Sequence, residues 1–376
     1  MSGSSGMWCP DMTMPRERPV VHIGDTTIGT DHPPVFLAEI GTYFNQDITL
    51  ADRMIRNITE AAQQVPEVPV LLKGEILHTA DICLDDDTIE VYTSKSGHIA
   101  QERYRSLIER KVVSLDDYRR LLTLSALPVV TSVYDLAGVD FAVEIGVAAL
   151  KIASANITHV PLIRHAAGKG LPIIIDTGRA SLEEVAGAVA VARKAGCPGI
   201  IVEHSPDGHP AMPEAHNLRL LQTYASALEV PVGLSDHHVG DEMLYVAVAL
   251  GASIIEKGVC HDSTLLEQDA AHAMDLRDLP SVLRRVHNAW AALGRTRRDP
   301  TAPICGVIAT TQRQGLIAKR DLVPGDRVSL DTIAFAWPAK GIPVHHWDTV
   351  AGWEVVAPVG KGKVIDWPHL RPRQGE

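Results

Sequence analysis

The sequence predicts a (β/α)8 barrel followed by a small C-terminal β-rich domain. Its 376 residues exceed the length of one ordinary domain. Through the middle of the chain, short apolar runs alternate with longer amphipathic ones, which is typical of a parallel sheet with helical crossovers. These runs number roughly eight, the count that closes such a barrel. They are Val35–Ile40, Val68–Lys73, Leu127–Val133, Ala148–Ile152, Pro172–Asp176, Gly199–His204, Pro231–Leu234 and Ala252–Glu256.

Residues 1–30 precede the first run and are interpreted as a leader and an N-terminal extension. They open with Met-Ser-Gly-Ser-Ser-Gly, which is typical of a flexible appended leader. The barrel is expected over residues 31–293. Within it, the stretch from Leu77 to His98 is acidic, irregular and long for a connection between a strand and a helix. It is therefore either a lid or a disordered loop.

Helical patterns fall between the predicted strands. In the stretch from Ser181 to Ala195, Ser181 is expected at the N-cap and Glu184 three residues later completes a capping box. Gly196 is expected to end this helix, because glycine readily adopts the left-handed conformation found there. The last barrel helix is expected over Asp275 to Leu293.

The chain changes character after the last predicted helix. Residues 294–303 are charged and rich in turn formers, which predicts a linker. Residues 304–376 then contain short β-like runs with many glycines and prolines. Within them Pro324–Ile333 aligns with Lys361–Leu370, glycine on glycine, which indicates a small β domain with internal pseudo-symmetry.

The composition excludes several classes of function. The chain carries 35 Lys and Arg against 46 Asp and Glu, and only 5% of its residues are aromatic, so a nucleic acid is not expected as a partner. The five cysteines form no CxxC pair, which fits a reducing compartment, and we expect the cytoplasm. No apolar run reaches the roughly 18 residues of a membrane span. We therefore expect no membrane association.

In a barrel of this class the active site forms at the C-terminal ends of the strands. The predicted strands consistently end in polar residues there. Many strand ends are polar only because they face water, and about half of these residues could be explained that way. The residues are Glu39, Lys73, Thr131, Ser132, Lys151, Ser154, Asp176, Thr177, Glu203, His204, Ser235, Asp236, His237, Glu256 and Lys257.

Lys73 and Lys151 interrupt strands that are otherwise apolar. A lysine that points into a barrel is costly unless its charge meets an anion. The pair therefore indicates either a phosphate or carboxylate ligand, or structural salt bridges.

Histidines are concentrated in the last third of the barrel. A single histidine there is more often a hydrogen-bonded structural residue than a ligand, but several that converge on one barrel mouth indicate a metal or an acid/base site. Both interpretations stay open at this point. The chain has 17 histidines in all, and those in question are His204, His209, His216, His237, His238 and His261.

An ordered set of motifs resembles the sialic acid synthases, the N-acetylneuraminate synthase family. The likeness covers about Val35 to Leu370 and includes the antifreeze-like (SAF) domain that ends those enzymes. The barrel motifs are Ala38-Glu-Ile-Gly41, Lys151-Ile-Ala-Ser154, Thr177-Gly178, Ser235-Asp-His237 and Glu256-Lys257. The C-terminal motifs are Arg313, Leu316-Ile-Ala-Lys-Arg-Asp-Leu322, Pro324-Gly325 and Lys340-Gly-Ile-Pro343.

The resemblance implies a transferase that condenses phosphoenolpyruvate with an aldose or amino-sugar aldehyde, in the presence of manganese or magnesium. It implies a domain-swapped homodimer in which Arg313 reaches the partner's sugar site. Glu39, Glu256, Asp269, His209 and His237 are then the expected catalytic residues, and His237 is also a metal ligand. The expected substrate-binding residues are Lys73, Ser132, Lys151, Ser154, Asn156, Asp176, Asp207, Ser235 and Arg313.

Four positions depart from the family pattern. Gly258 stands where the family has its second metal-binding histidine, so metal binding is expected to be weak unless a residue such as His261 substitutes. Asp176 replaces a phosphate-binding serine, and its charge would oppose phosphate. Asn156 replaces a glutamate and His209 a tyrosine. These changes predict a divergent member of the family.

Two other functions stay open. One is a barrel enzyme that handles sugars without phosphoenolpyruvate, with lyase, aldolase or isomerase chemistry carried by His204, His209, His237 and Asp176. The other is a sugar-binding homologue without catalysis. The acceptor sugar is not encoded in any motif that we recognise.

Overall fold

The structure is a computed structural model that describes residues 19–44, 46–93, 98–261, 270–294 and 313–372. Its contacts divide the chain into two compact units, Met1–Gly294 and Arg295–Glu376.

The first unit is a closed parallel barrel of eight strands. The described part of this unit opens with an antiparallel hairpin of β1 (Val21–Ile23) and β2 (Thr26–Ile28) and then enters the barrel, whose strands follow one another in chain order. The ring closes because β12 (Ile254–Cys260) pairs with both β11 (Val232–Asp236) and β3 (Val35–Gly41). The predicted (β/α)8 barrel is thus confirmed. The strands of this unit are β1 (Val21–Ile23), β2 (Thr26–Ile28), β3 (Val35–Gly41), β4 (Val70–Ile76), β5 (Ile89–Thr93), β6 (Ile99–Arg103), β7 (Val129–Val133), β8 (Ala149–Ile152), β9 (Ile173–Asp176), β10 (Ile200–His204), β11 (Val232–Asp236), β12 (Ile254–Cys260) and β13 (Met274–Asp275).

Helices surround the barrel and pack apolar faces against the sheet. Helix α6 (Leu182–Lys194) begins after the N-cap Ser181 with the predicted capping box to Glu184, and Gly196 follows its end with a φ of +83°. The last helix of this unit, α9 (Leu279–Leu293), is preceded by a 3-10 turn over Leu276–Asp278, so it starts later than expected. The helices are α1 (Ile48–Gln64), α2 (Tyr104–Glu109), α3 (Leu115–Thr123), α4 (Leu136–Glu144), α5 (Val160–Ala167), α6 (Leu182–Lys194), α7 (Leu220–Leu228), α8 (Glu242–Ala249) and α9 (Leu279–Leu293).

The barrel interior is layered. Alternate residues of each strand point inward, and the lower inward positions are apolar and fully buried. The β1–β2 hairpin covers the N-terminal ends of the strands, where Val21 packs beside Gly199, just before β10, and Gly24 beside Pro128, just before β7. This apolar layer comprises Val21, Ile23, Ile28, Val35, Leu37, Leu71, Val130, Ala149, Ile174, Ile201 and Ile254.

The stretch from Leu77 to His98 is more regular than the sequence predicts. It contains β5, which pairs in antiparallel register with β6. Ile89 and Val91 of this strand are exposed, at 52% and 58%, so β5 does not form the continuous apolar run by which the barrel strands are predicted. Residues 94–97 lie outside the described part of the chain.

The second unit is built from short strands around its own small core. The two aligned stretches adopt the same turn, with Gly325 and Gly362 at φ values of +97° and +75°. Leu322 and Val359, which precede these turns, exchange both backbone hydrogen bonds. The structure thus shows the predicted internal symmetry. The elements are β14 (Gly315–Ala318), β15 (Ile333–Ala336), α10 (Trp347–Val350), β16 (Glu354–Val355) and β17 (Leu370–Arg371).

Across the described ranges of both units, no helix combines the length and the apolar character needed to cross a bilayer.

Candidate functional site

A ring of polar side chains lies directly above the apolar layer of the barrel, with one member from each strand. Each occupies the next inward position toward the C-terminal end of its strand, so the alternation that packs the core also places this ring. Strand register pairs several neighbours directly, such as Glu39 with Lys73 and Ser132 with Lys151. The ring consists of Glu39, Lys73, Ser132, Lys151, Asp176, Glu203, Ser235 and Glu256, all buried.

Lys151 lies at the centre of three carboxylates. Its Nζ is 2.7 Å from Glu256 Oε1, 2.8 Å from Glu203 Oε2 and 3.1 Å from Asp176 Oδ2. The side chain of Ser235 joins the group by donating a hydrogen bond to Glu256 Oε1 at 3.1 Å. Lys151 is therefore held by charges of the protein itself.

Lys73 has a similar environment on the other side of the ring. It forms ion pairs with Glu39 and, at 3.1 Å, with Glu75, while Glu256 Oε1 lies 3.7 Å from its Nζ. The ammonium groups of Lys73 and Lys151 thus approach the same oxygen of Glu256. In this structure both lysines form salt bridges with carboxyl groups of the protein, which is one of the two interpretations that the sequence offers. The geometry also creates one position, at Glu256 Oε1, where the two ammonium groups meet an anion.

The ring holds more carboxylates than lysines, and burial decides which are charged. Burial raises the pKa of Glu203 to about 8 and that of Glu39 to about 7, because both carboxyls lose their hydration. The pKa of Glu256 moves below its usual range: burial opposes this change, but the nearby Lys151 and Lys73 outweigh it. The two lysines keep their protons, because the carboxylates raise their pKa values well above the usual range despite burial.

Other predicted substrate-binding residues lie around this ring. Ser132 Oγ and Asn156 Nδ2 are buried without a hydrogen-bond partner, which is unusual for polar groups unless a ligand completes them. Ser154 Oγ accepts a hydrogen bond from the Gly178 amide at 2.9 Å and so holds the loop after β9. Asp207 is exposed and lies 3.5 Å from the Arg179 guanidinium.

The histidines divide into separate groups. His204 and His216 point away from the barrel interior, where His204 Nε2 bonds the His216 carbonyl and His216 Nε2 lies 3.1 Å from Asp236. His238 Nδ1 bonds the Ala211 carbonyl at 3.1 Å. These three are hydrogen-bonded structural residues, which is the simpler of the two interpretations offered by the sequence.

A second group of histidines meets at the barrel mouth. The ring centroid of His237, at the end of β11, is 4.1 Å from that of His209 and 4.7 Å from that of His272, and His209 and His272 are 5.6 Å apart. His272 was missed by the sequence analysis because it lies in the irregular segment before β13. Burial lowers the pKa of His237 well below its usual range, and the two neighbouring imidazoles reinforce this.

The metal pair implied by the resemblance does not fit this chain. A Cβ built on Gly258 would come within 3.0 Å of the Tyr43 ring, so Tyr43 fills the space of a side chain at that position. The Tyr43 hydroxyl in turn donates a hydrogen bond to Glu39 Oε2 at 3.2 Å. His261 lies beside Asn57 of α1, with 3.5 Å between their side-chain nitrogens. No step of the chemistry is therefore assigned to a metal bound through position 258.

Two predicted residues cannot be placed in the ring. Asp269 falls outside the described residues. Arg313 belongs to the second unit, where it lines a surface cavity with Gln314, Trp337, Val344 and His345.

Comparison with protein families identifies both parts of the chain. Residues 76–298 match the model of the NeuB family, and residues 313–371 match the SAF domain. The first match alone spans more than half of the chain.

Related proteins extend over nearly the whole length. The N,N'-diacetyllegionaminic acid synthase of Legionella pneumophila is 26% identical, over 89% of this chain and 94% of its own. The N-acetylneuraminate-9-phosphate synthase of Mus musculus is also 26% identical, over 90% and 93%. Among solved structures, an N-acetylneuraminic acid synthetase from Leptospira borgpetersenii, in complex with citrate, aligns with a TM-score of 0.66 and 27% identity, covering 76% of this chain and 93% of its own.

Proposed function

The chain belongs to the NeuB family, whose named relatives are sugar acid synthases, and we propose on that basis that it condenses phosphoenolpyruvate with the aldehyde of an aldose or amino sugar. The product would be a 2-keto-3-deoxy sugar acid, with release of phosphate. The observation that supports this proposal most directly is the approach of Lys73 and Lys151 to one oxygen of Glu256. Two buried cations that share one anion position suit a substrate with a carboxylate or phosphate group.

In the proposed reaction the methylene carbon of phosphoenolpyruvate forms a bond to the aldehyde carbon. The aldehyde oxygen takes up a proton, water adds to the former enol carbon and loses a proton, and phosphate leaves as the ketone forms. Glu39 is suited to supply the first proton, because its pKa of about 7 lets it exist in both states near neutrality. Glu256, held ionised by two lysines, is suited to receive the proton of the water.

Ser132 and Asn156 supply further support, since their buried, unpartnered polar atoms could bond the substrate. We further propose that the enzyme is a homodimer in which Arg313 acts at the partner's site. The second unit exposes Arg313 next to Trp337, an indole that is 69% exposed. An exposed tryptophan beside a cation is typical of a surface that becomes buried in an assembly.

A second function is favoured by one specific observation. Asp176 and Glu203 both lie within 3.1 Å of Lys151, so an incoming phosphate must compete with carboxyl groups that are already in place. If these groups prevail, the enzyme handles a sugar-derived substrate without phosphoenolpyruvate.

Calorimetry with phosphoenolpyruvate, together with phosphate release in the presence of a panel of aldoses, separates the two functions. We expect binding in the unmodified protein, stronger binding in Asp176→Ser, and a loss of roughly 1.5 to 3 kcal/mol in Lys151→Ala, as for a bond to a charged group. Lys169→Ala, on the outer face of the barrel, is the matched control. Absence of binding at millimolar ligand in both the unmodified protein and Asp176→Ser would leave the second function in place of the first.

A further inference from the structure

Three carboxyl groups of the polar ring share one ammonium group. Asp176, Glu203 and Glu256 all lie within 3.1 Å of Lys151 Nζ. Glu256 also has Lys73, 3.7 Å away. Two ammonium groups and three carboxylates would leave an uncompensated negative charge in a buried place, which is costly. We therefore expect one of the three carboxyl groups to hold a proton.

Hydrogen bonding indicates that this proton resides on Glu203. Asp176 Oδ1 accepts a hydrogen bond from the Thr177 amide at 2.9 Å, and Glu256 Oε1 accepts one from the Ser235 hydroxyl at 3.1 Å. Such donors stabilise the ionised form of a carboxyl. In the described structure neither oxygen of Glu203 has a partner with the geometry of a hydrogen bond, although the shared ammonium group is 2.8 Å from Oε2. Burial raises the pKa of Glu203 to about 8, which agrees with this assignment.

The strands around Glu203 leave its carboxyl without a fitting acceptor. Among the described residues, the charged groups that face it are Lys151 on β8, Asp176 on β9 and Glu256 on β12. Its register partner on β11 is Gly233, where a Cβ would come within 3.1 Å of Glu203 Cγ, so the absent side chain leaves room for the carboxyl. A buried O–H group without an acceptor is unfavourable, which indicates that a ligand supplies one.

We propose that Glu203 binds the acidic group of the substrate as a neutral carboxylic acid, donating a hydrogen bond to it beside Lys151. The inference rests on the proposed function, in which phosphoenolpyruvate supplies the carboxylate or phosphate. A protonated carboxyl that donates in this way attracts an anion that its ionised form would repel. Glu203 then assists phosphate binding instead of competing with it.

Binding of an anion should consequently take up a proton. Above the pKa of Glu203, about 8, the free protein has mostly lost the proton that the bound state requires. The uptake by Glu203 should approach one proton per anion at about pH 9 and fall toward zero at about pH 7. Glu39 has a pKa of about 7 and titrates in a lower range, so measurements near pH 9 report on Glu203.

Calorimetry with oxalate in buffers of different ionisation enthalpy measures this uptake in the full-length protein, because oxalate itself does not titrate at this pH. We expect close to one proton per oxalate in the unmodified protein at about pH 9, and the same in Glu39→Gln and in the control Glu60→Gln on the exposed face of α1. Glu203→Gln should show no uptake, since its amide donates a hydrogen bond without titrating. It should also bind oxalate about 10-fold more tightly than the unmodified protein there, because it needs no proton about one unit above the pKa.

Oxalate binding without proton uptake in the unmodified protein at about pH 9 would overturn the proposal, and this measurement needs no variant. Uptake that persists in Glu203→Gln but disappears in Asp176→Ser would also overturn it, by assigning the proton to the other carboxyl. If neither oxalate nor phosphoenolpyruvate binds, the proposal is wrong together with the proposed function. Binding with proton uptake but without phosphate release from any aldose would refute the condensation alone and support the role of Glu203.

Discussion

Glu203 offers a direct measurement of the electrostatics of the polar ring. Its side chain is fully buried, and its pKa rises from 4.5 to about 8 because burial penalises the charged form. The substitution Glu203→Gln keeps the shape of the neutral carboxyl and removes the titration. Lys151 still has Asp176 and Glu256 as partners, so the variant leaves no unpaired lysine.

The sign of the effect follows from the direction of the pKa change. A carboxyl whose pKa is raised by folding binds its proton more tightly in the folded state, so its contribution to stability is lost as the pH rises from 4.5 toward 8. The full difference corresponds to about 5 kcal/mol in the free energy of unfolding. Glu203→Gln should therefore resemble the unmodified protein near pH 5 and exceed it in stability by about 3 to 5 kcal/mol above pH 8.

Urea unfolding at a series of pH values, followed by circular dichroism of the barrel helices, gives the required free energies. Glu60→Gln removes one negative charge from the exposed face of α1 and serves as the control. A difference between Glu203→Gln and the unmodified protein that stays constant across this pH range would refute the reasoning. It would mean that Glu203 is ionised throughout and that its attraction to Lys151 exceeds the cost of burial.

Three further predictions follow from the site and the second unit. Anion binding should strengthen as the pH falls from about 9 to about 7, because protonation of Glu39 and Glu203, whose pKa values are raised, makes the ring less negative. Calorimetry with oxalate, whose own charge stays constant in this pH range, should show the trend, and an affinity that does not change with pH would contradict it. Gly258→His should destabilise the barrel by roughly 1 to 3 kcal/mol through overpacking against Tyr43. Thermal unfolding should show that adding Tyr43→Ala restores part of this stability, and an equal loss of stability in the single and the double variant would count against the steric explanation. Mixing Arg313→Ala and Lys151→Ala protomers should restore part of the activity that each lacks, measured as phosphate release, whereas a monomeric protein or no recovery would end the proposal of a shared site.

The barrel could be predicted because its strands are continuous apolar runs that end in polar residues. Lys73 and Lys151 were informative for the same reason, since a charged side chain inside an apolar run must meet a counter-charge. The sequence did not reveal which counter-charge applies. That depends on the register between strands, which brings Glu203 and Asp176 of adjacent strands next to Lys151.

Contacts made by irregular segments were the part that could not be predicted. Tyr43 blocks position 258 because the chain turns after β3, and His272 reaches His237 through a segment without a periodic pattern. The strand β5 was missed because its apolar residues alternate with polar ones, with Ile89 and Val91 facing solvent, and so form no continuous apolar run like those of the barrel strands. Such features depend on the path of the backbone in space more than on local composition.

The β1–β2 hairpin has a kinetic consequence. Among the described residues it fills the N-terminal end of the barrel with Val21, Ile23 and Ile28, which leaves the opposite end of the described barrel for ligands of the polar ring to enter and leave. Two substrates that share a single entrance cannot pass each other inside a packed barrel. In the proposed condensation, the substrate that binds at Lys73 and Lys151 must therefore arrive first, and a sugar bound above it would trap it until the sugar or its product departs. Steady-state kinetics should accordingly follow an ordered sequence in which excess sugar inhibits by occupying the entrance before the deeper site is filled.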